Sequence, residues 1–284
     1  MSSNAGDSIT FFSKESINCP VCGTDFHRED MRTGRGRLIA GSLTRFLRRL
    51  YEPTEKYGEV YPLIYPVTVC PNCLYAAFPQ DFSNINPKTR EALEGDIEAR
   101  KKSLKKIFPE LDFNKPRNIE MGIAAYHYCI LSLQHFPKDR SPTVKSGVSA
   151  LRAAWLCEDL HRKVPGEHFD YLANIYYHKA WFYYTEALNK DENGEEGIAD
   201  AGQLGPDVDQ NYGYDGVLYI AALLEFLHGP KSNPEQRHAS LQRAKTMVGR
   251  LFGHGRASKD KPSTLLERAK EVYREINQEL KGNS

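Results

Sequence analysis

Four of the six cysteines fall into two short pairs, CPVC from Cys19 to Cys22 and CPNC from Cys70 to Cys73. Thiolates are soft ligands, and two intervening residues let both sulfurs of one tight turn face a single ion. Two such turns complete a tetrahedral sulfur shell. The expected occupant is one zinc ion held by Cys19, Cys22, Cys70 and Cys73, with an iron centre on the same ligands as the alternative. Four thiolates leave no coordination position for water or substrate, so the ion is expected to be structural and not catalytic. Gly23 follows the first pair and suits the backbone conformation that turns amides toward the sulfurs. His27 is near enough in sequence to replace a ligand, but four cysteines already fill the set. The 47 residues between the pairs (23 to 69) exceed the roughly 15–20 of a zinc ribbon, so a segment is inserted between the two knuckles.

The insert carries a second candidate chemistry. Residues 31 to 51 contain Arg32, Arg35, Arg37, Arg45, Arg48 and Arg49 and no acid. Guanidinium groups bind phosphate oxygens bidentately, which makes these arginines candidates for anion or nucleic-acid contact. Alternatively they dock on acid of the same chain or of a second copy, because residues 191 to 215 hold eight acids and no lysine or arginine. Within that acidic run, Asp207, Asp209 and Asn211 occupy the first, third and fifth positions of a calcium-loop pattern. The pattern fails at its sixth position, Tyr212, and its twelfth, Leu218, so a polar loop is the expectation and weak calcium binding the alternative. The nine histidines are scattered singly. No HExxH pair, GxSxG elbow, phosphate-binding loop or dinucleotide fingerprint occurs, and no enzymatic activity is expected.

These residues must be positioned by elements read from composition and periodicity. The chain has 284 residues, 40% of them apolar, enough for two domains with a proper core. A net charge of +1 gives no general attraction to nucleic acid or anionic membrane. No run approaches the ~18 apolar residues of a membrane span, and the N-terminus lacks a signal-peptide pattern. With paired cysteines that favour metal over disulfides in a reducing compartment, a cytoplasmic protein is expected. Residues 8 to 18 and 59 to 69 are β-rich and lead into the cysteine pairs, while Leu43, Phe46, Leu47 and Leu50 fall at helical spacing between them. A division into 1–84, a zinc-ribbon-like module with its Arg-rich insert, and 85–284, an all-helical domain, follows from the change in composition near residue 84.

Punctuation by Pro116, Pro142, Pro165 and Pro234 sets seven helices, at about 87–107, 117–136, 142–163, 167–190, 214–229, 234–252 and 263–281. The last is expected to begin with Thr264 and Glu267 in capping-box spacing. Residues 169–188 are apolar or aromatic on nearly every side and are expected at the centre of the helical domain. Cys129 and Cys157 lie in apolar helical runs and read as small hydrophobes. Ala150, Ala153 and Ala154 before Trp155, and Ala221 and Ala222 before Phe226, are similar to the small-residue crossings of tetratricopeptide repeats, although the spacing between helix pairs is irregular and a bundle is the alternative.

Taken together, CPVCG, the arginine-containing insert, PLIYPVTVCPNCLYAAF and the helical remainder resemble a bacterial family, domain of unknown function 2225. The resemblance implies a mainly α fold, a zinc-ribbon-like head on tetratricopeptide-like helices, with Cys19, Cys22, Cys70 and Cys73 as metal ligands; it implies no activity. Leu74 departs from the glycine expected in a symmetric second knuckle. The expected function is a scaffold or adaptor that binds another protein or itself, and the alternative is nucleic-acid binding through the arginine insert.

Overall fold

A computed structural model of the protein describes residues 9–34, 36–202, 205–252 and 261–282. The fold is mainly α, with a small β module at the N-terminal end. Four short antiparallel ladders build that module: β1 (Thr10–Phe12) with β4 (Glu29–Met31), β2 (Ile17–Asn18) with β3 (Asp25–Phe26), β5 (Ile39–Leu43) with β6 (Arg49–Glu52), and β7 (Thr68–Val69) with β8 (Ala76–Ala77). The run from 59 to 67, expected as strand, instead contains a single 3₁₀ turn at Pro62–Ile64. Pro62 and Pro66 have no amide to give a ladder, so strand pairing begins only at Thr68.

The helix expected from Leu43 to Leu50 is not formed. Those residues make the β5–β6 hairpin, whose turn is closed by Thr44 N–H to Arg48 O at 2.9 Å and Leu47 N–H to Thr44 O at 3.0 Å. Leu47 takes φ +62° there, left-handed backbone unusual for a branched side chain. Tertiary contact explains the cost. The tip pushes Phe46 and Leu47 into the helices, with Phe46 stacked on Tyr177 at 5.4 Å and near Trp155 at 6.4 Å. The hairpin tip thus buries both side chains, Phe46 against Trp155 and Tyr177.

Nine α-helices follow among the described residues: α1 (Pro79–Phe82), α2 (Pro87–Gly95), α3 (Ile97–Ser103), α4 (Ile119–Leu133), α5 (Pro142–Lys163), α6 (Phe169–Glu192), α7 (Gly213–His228), α8 (Pro234–Leu251) and α9 (Ser263–Gly282). The expected 87–107 helix breaks between α2 and α3. At the break, buried Arg100 donates to Leu93 O at 2.7 Å, taking a carbonyl that an unbroken helix would have used itself. Asn86, Asn118 and Asn233 cap α2, α4 and α8 through side-chain oxygens. Helix α9 begins at Ser263, so Thr264 already lies inside it and is not its cap. From α4 to α9 each helix packs chiefly on the next in the chain, and α9 buries Leu265, Ala269, Val272, Ile276 and Leu280 against α7 and α8. Helix α6 is not enclosed on every side: Tyr171 is 69% and Phe182 53% exposed.

The buried core runs without a break across residue 84. At Gly122 in α4, a Cβ would sit 2.6 Å from Ile64 and 3.0 Å from Leu156, so only glycine lets α4 approach the N-terminal module this closely. Among the described residues no helix is long and apolar enough to cross a membrane.

Candidate metal centre

Each cysteine pair is the tip of a minimal hairpin, β2–β3 for the first and β7–β8 for the second. The two tips repeat each other bond for bond. Cys19 N–H reaches Thr24 O at 2.9 Å and Gly23 N–H reaches Cys19 O at 2.9 Å; Cys70 N–H reaches Tyr75 O at 2.9 Å and Leu74 N–H reaches Cys70 O at 3.0 Å. The left-handed residue is Gly23 in one, at φ +72°, and Leu74 in the other, at φ +58°. The leucine therefore keeps the glycine geometry, at a conformational cost of about 1–2 kcal/mol. Its side chain is partly buried against the core, which offsets some of that cost.

The sulfurs meet across the pairs, Cys19 Sγ to Cys73 Sγ at 3.7 Å and Cys22 Sγ to Cys70 Sγ at 3.6 Å. All four lie within 4.8 Å of one another. An ion with metal–sulfur bonds of ~2.3 Å in tetrahedral array would separate its ligands by about 3.8 Å. The cysteine cluster thus fits a metal ion. Cys19, Cys70 and Cys73 are buried and Cys22 is half-buried. Hydrogen bonds from Cys19 and then Cys73 draw the Cys70 thiol far below its ordinary range, while the bond to Cys70 pushes Cys19 up to about 12. A bound cation would favour the thiolate of every cysteine it contacts, Cys19 included. Around the cluster, Asn72 Nδ2 faces Cys22 Sγ at 3.7 Å and Thr24 Oγ1 at 3.0 Å, and Arg100 Nε donates to Cys73 O at 3.3 Å. His27 points away, its Nδ1 at 2.8 Å from Ser13 O.

The arginines of the insert end on the protein itself. Buried Arg48 forms a two-pronged pair with Asp159 of α5, one prong at 3.1 Å, and donates to Trp155 O at 3.3 Å. Arg49 Nε meets Asp209 at 3.1 Å while its main-chain N–H meets Asp207 at 2.7 Å. Arg45 meets Glu275 of α9 at 2.9 Å. Arg32 lies over the Phe11 ring at 4.6 Å, and buried Arg37 lies over Tyr57 at 5.7 Å and donates to Gly34 O. Arg35 lies outside the described residues. Glu195 and Glu196, members of the acidic run, meet Lys138 and Thr143 instead of the insert.

The calcium-pattern loop spends its oxygens on the protein. Asp207 accepts from the amides of Val208 and Arg49, Asp209 from Arg49, and Asn211 from the amide of Gly213. Burial raises the pKa of Asp207, and the Val208 amide and Arg152 act against that rise. Sequence reasoning missed Asp159, Arg100 and the pair formed by buried Glu29 and the Arg117 amide at 2.7 Å. Each stands among other charged residues in the sequence, and only burial distinguishes it.

Comparison with known proteins gives a consistent picture. The model of a family described as "Uncharacterized protein conserved in bacteria (DUF2225)" matches residues 12–276. An uncharacterized protein of Borreliella burgdorferi is 44% identical over 274 residues, covering 96% of this chain and 98% of that one. No solved structure matches.

Proposed function

We propose that this chain, which belongs to the bacterial family DUF2225, is a cytoplasmic, non-enzymatic scaffold whose head carries one structural zinc ion and whose helices bind another protein or a second copy. The observation that carries this reading is the cysteine cluster: four sulfurs within 4.8 Å of one another, two cross-pairs at 3.6 and 3.7 Å, and three of the four cysteines buried. Cys19, Cys22, Cys70 and Cys73 would hold the ion, and the chemistry it supplies when bound is folding energy, on the order of 10–16 kcal/mol for structural zinc.

Three further features support the scaffold reading. The hairpin tip ties the head to α5, α6 and α9 through Phe46, Arg48 and Arg45, so the head orients a rigid body and does not swing on a linker. Successive helices pack on one another, and Ala150, Ala153, Ala154, Ala221 and Ala222 are all buried, which suits a tetratricopeptide-like array. The exposed Tyr171 and Phe182 on α6 offer an aromatic surface of the kind enriched at protein interfaces. The nucleic-acid alternative finds less support, since Arg45, Arg48 and Arg49 are already paired with acids.

The test compares the native chain with a Tyr171→Ser/Phe182→Ser double variant in cross-linking and light scattering, and in affinity capture from the native organism. Loss of a defined partner, or of self-association, with the fold intact supports the scaffold. Steeply salt-dependent RNA or DNA binding that the α6 variant leaves untouched moves the function to the alternative.

A further inference from the structure

A cleft of about 570 Å³ lies where the head, α5 and the α6–α7 connection meet. Helix α5 supplies one wall with Val144, Lys145, Val148 and Arg152, residues at helical spacing on a single face. The head supplies the opposite wall, largely apolar, with Leu38, Tyr51, Tyr65, Pro66 and Phe78. Ala201, Val208 and Asp209 close a third side. Small-molecule sites run from roughly 300 to 1,000 Å³ and favour junctions between structural units, with apolar walls and a few fixed polar groups.

The charges of this cleft do not cancel. Three cations on or beside its walls have acids: Lys145 meets Asp81 at 2.7 Å, Arg49 meets Asp209 at 3.1 Å, and Arg28 lies 3.0 Å from Asp30. The Arg28 Nε–H is buried without an aligned hydrogen bond, so that pair is loose. Arg152 has no acid in ion-pair contact among the described residues. Its guanidinium belongs to a residue only 5% exposed and donates to three neutral carbonyls, Pro206 at 2.8 Å, Gly205 at 3.1 Å and Asp207 at 3.2 Å. The Asp207 carboxylate is turned to the Val208 and Arg49 amides. The two buried charges act on each other only through space, and carbonyl dipoles solvate a buried cation without neutralising it, so the guanidinium keeps affinity for an anion in direct contact.

We propose that this cleft binds a small organic anion, a carboxylate or phosphate monoester on a mostly apolar body, with the anionic group answering Arg152 and the body lying between α5 and the aromatic wall of the head. The site is separate from the cysteine cluster and does not depend on the scaffold reading. It would make the seam between head and helices sensitive to a metabolite, because the ligand touches both.

The experiment uses the full metal-replete chain with its methyl groups labelled for NMR, so that Leu38, Val148 and Val208 report from three walls. Four probes of equal chain length are titrated: octanoate, octyl phosphate, octanol and octylammonium. At least one anion should shift those methyls saturably, at least tenfold more tightly than octanol, and octylammonium should not bind there. The tighter of the two anions identifies the head group. Arg152→Gln, which retains a donor for the carbonyls, should weaken the anion at least tenfold and leave octanol unchanged. Val148→Phe, which fills the cleft, should remove all binding while circular dichroism stays native. Absence of saturable shifts with both anions, equal binding of octylammonium, or an Arg152→Gln variant that binds the anion as tightly as the native chain would each overturn the proposal. Should Arg152→Gln fail to fold, the charge series on the native chain decides alone.

Discussion

Replacing Arg48 with alanine isolates the contact that fastens the hairpin tip to the helices. Asp159 is 1% exposed and takes two guanidinium bonds from Arg48, and Trp155 O takes a third at 3.3 Å. The substitution leaves Asp159 buried with Arg162 as its remaining partner, a side chain 64% exposed. Breaking a buried pair by removing one member costs roughly 3–5 kcal/mol. Because Arg162 still compensates part of the charge, the lower end is expected, about 3 kcal/mol. An internal control is Arg45→Ala, whose pair with Glu275 has side chains 38% and 44% exposed; exposed pairs contribute about 0–1 kcal/mol. The assay is urea unfolding of zinc-loaded protein, followed by helical circular dichroism and by the fluorescence of Trp155 and Trp181. An Arg48→Met/Asp159→Leu double variant should recover at least half of the loss, since apolar groups of similar volume need no charge compensation. A loss below about 1 kcal/mol for Arg48→Ala, or a double variant no better than the single one, would refute the claim that this buried pair locks head to helices.

Elemental analysis should find about one zinc per chain, and Cys22→Ser or Cys70→Ser should lower both metal content and stability; full zinc in either variant removes the site. Stripping the metal should unfold the head and change Trp155 fluorescence as Phe46 leaves it, while most helical signal stays because α4 to α9 pack on one another. Complete loss of helical signal would show that head and helices fold as one unit. Gly23→Ala should cost about 1–2 kcal/mol because its φ is +72°, whereas Gly95→Ala, at ordinary φ with open space, should be neutral or stabilising; equal effects in denaturant unfolding would contradict the left-handed turn. Burial holds His127 down to about 4, below its ordinary 6.5. The unfolded chain therefore binds the proton first. This histidine's contribution is intact above pH 6.5 and is lost as pH falls toward 4, at up to about 1.4 kcal/mol per pH unit. His127→Gln should flatten that part of the stability profile by about one proton.

The sequence by itself determined what is local. Cysteine spacing defines the two knuckles, because two residues between thiols fix a turn without help from elsewhere. Proline and asparagine caps, with 3.6-residue periodicity, define α4 to α9, whose ends fall within a few residues of those expected. Tertiary structure decided whatever depends on partners distant in the chain. Leu43, Phe46, Leu47 and Leu50 carry helical spacing, yet the hole between Trp155 and Tyr177 selects a hairpin, and burial of its tip outweighs a left-handed Leu47. Arg100 ends α2 because its side chain takes a carbonyl and also reaches the second knuckle. The acid opposite Arg48 proved to be Asp159 on α5, outside the acidic run. Arg152 is one arginine in a helix until the fold encloses it, removes its water and surrounds it with carbonyls, with no acid in ion-pair contact among the described residues. Periodicity reports which face of an element is apolar, but which charges lose their solvent depends on contacts made by tertiary packing, up to 111 residues apart for Arg48 and Asp159, and those exist only once the chain has packed.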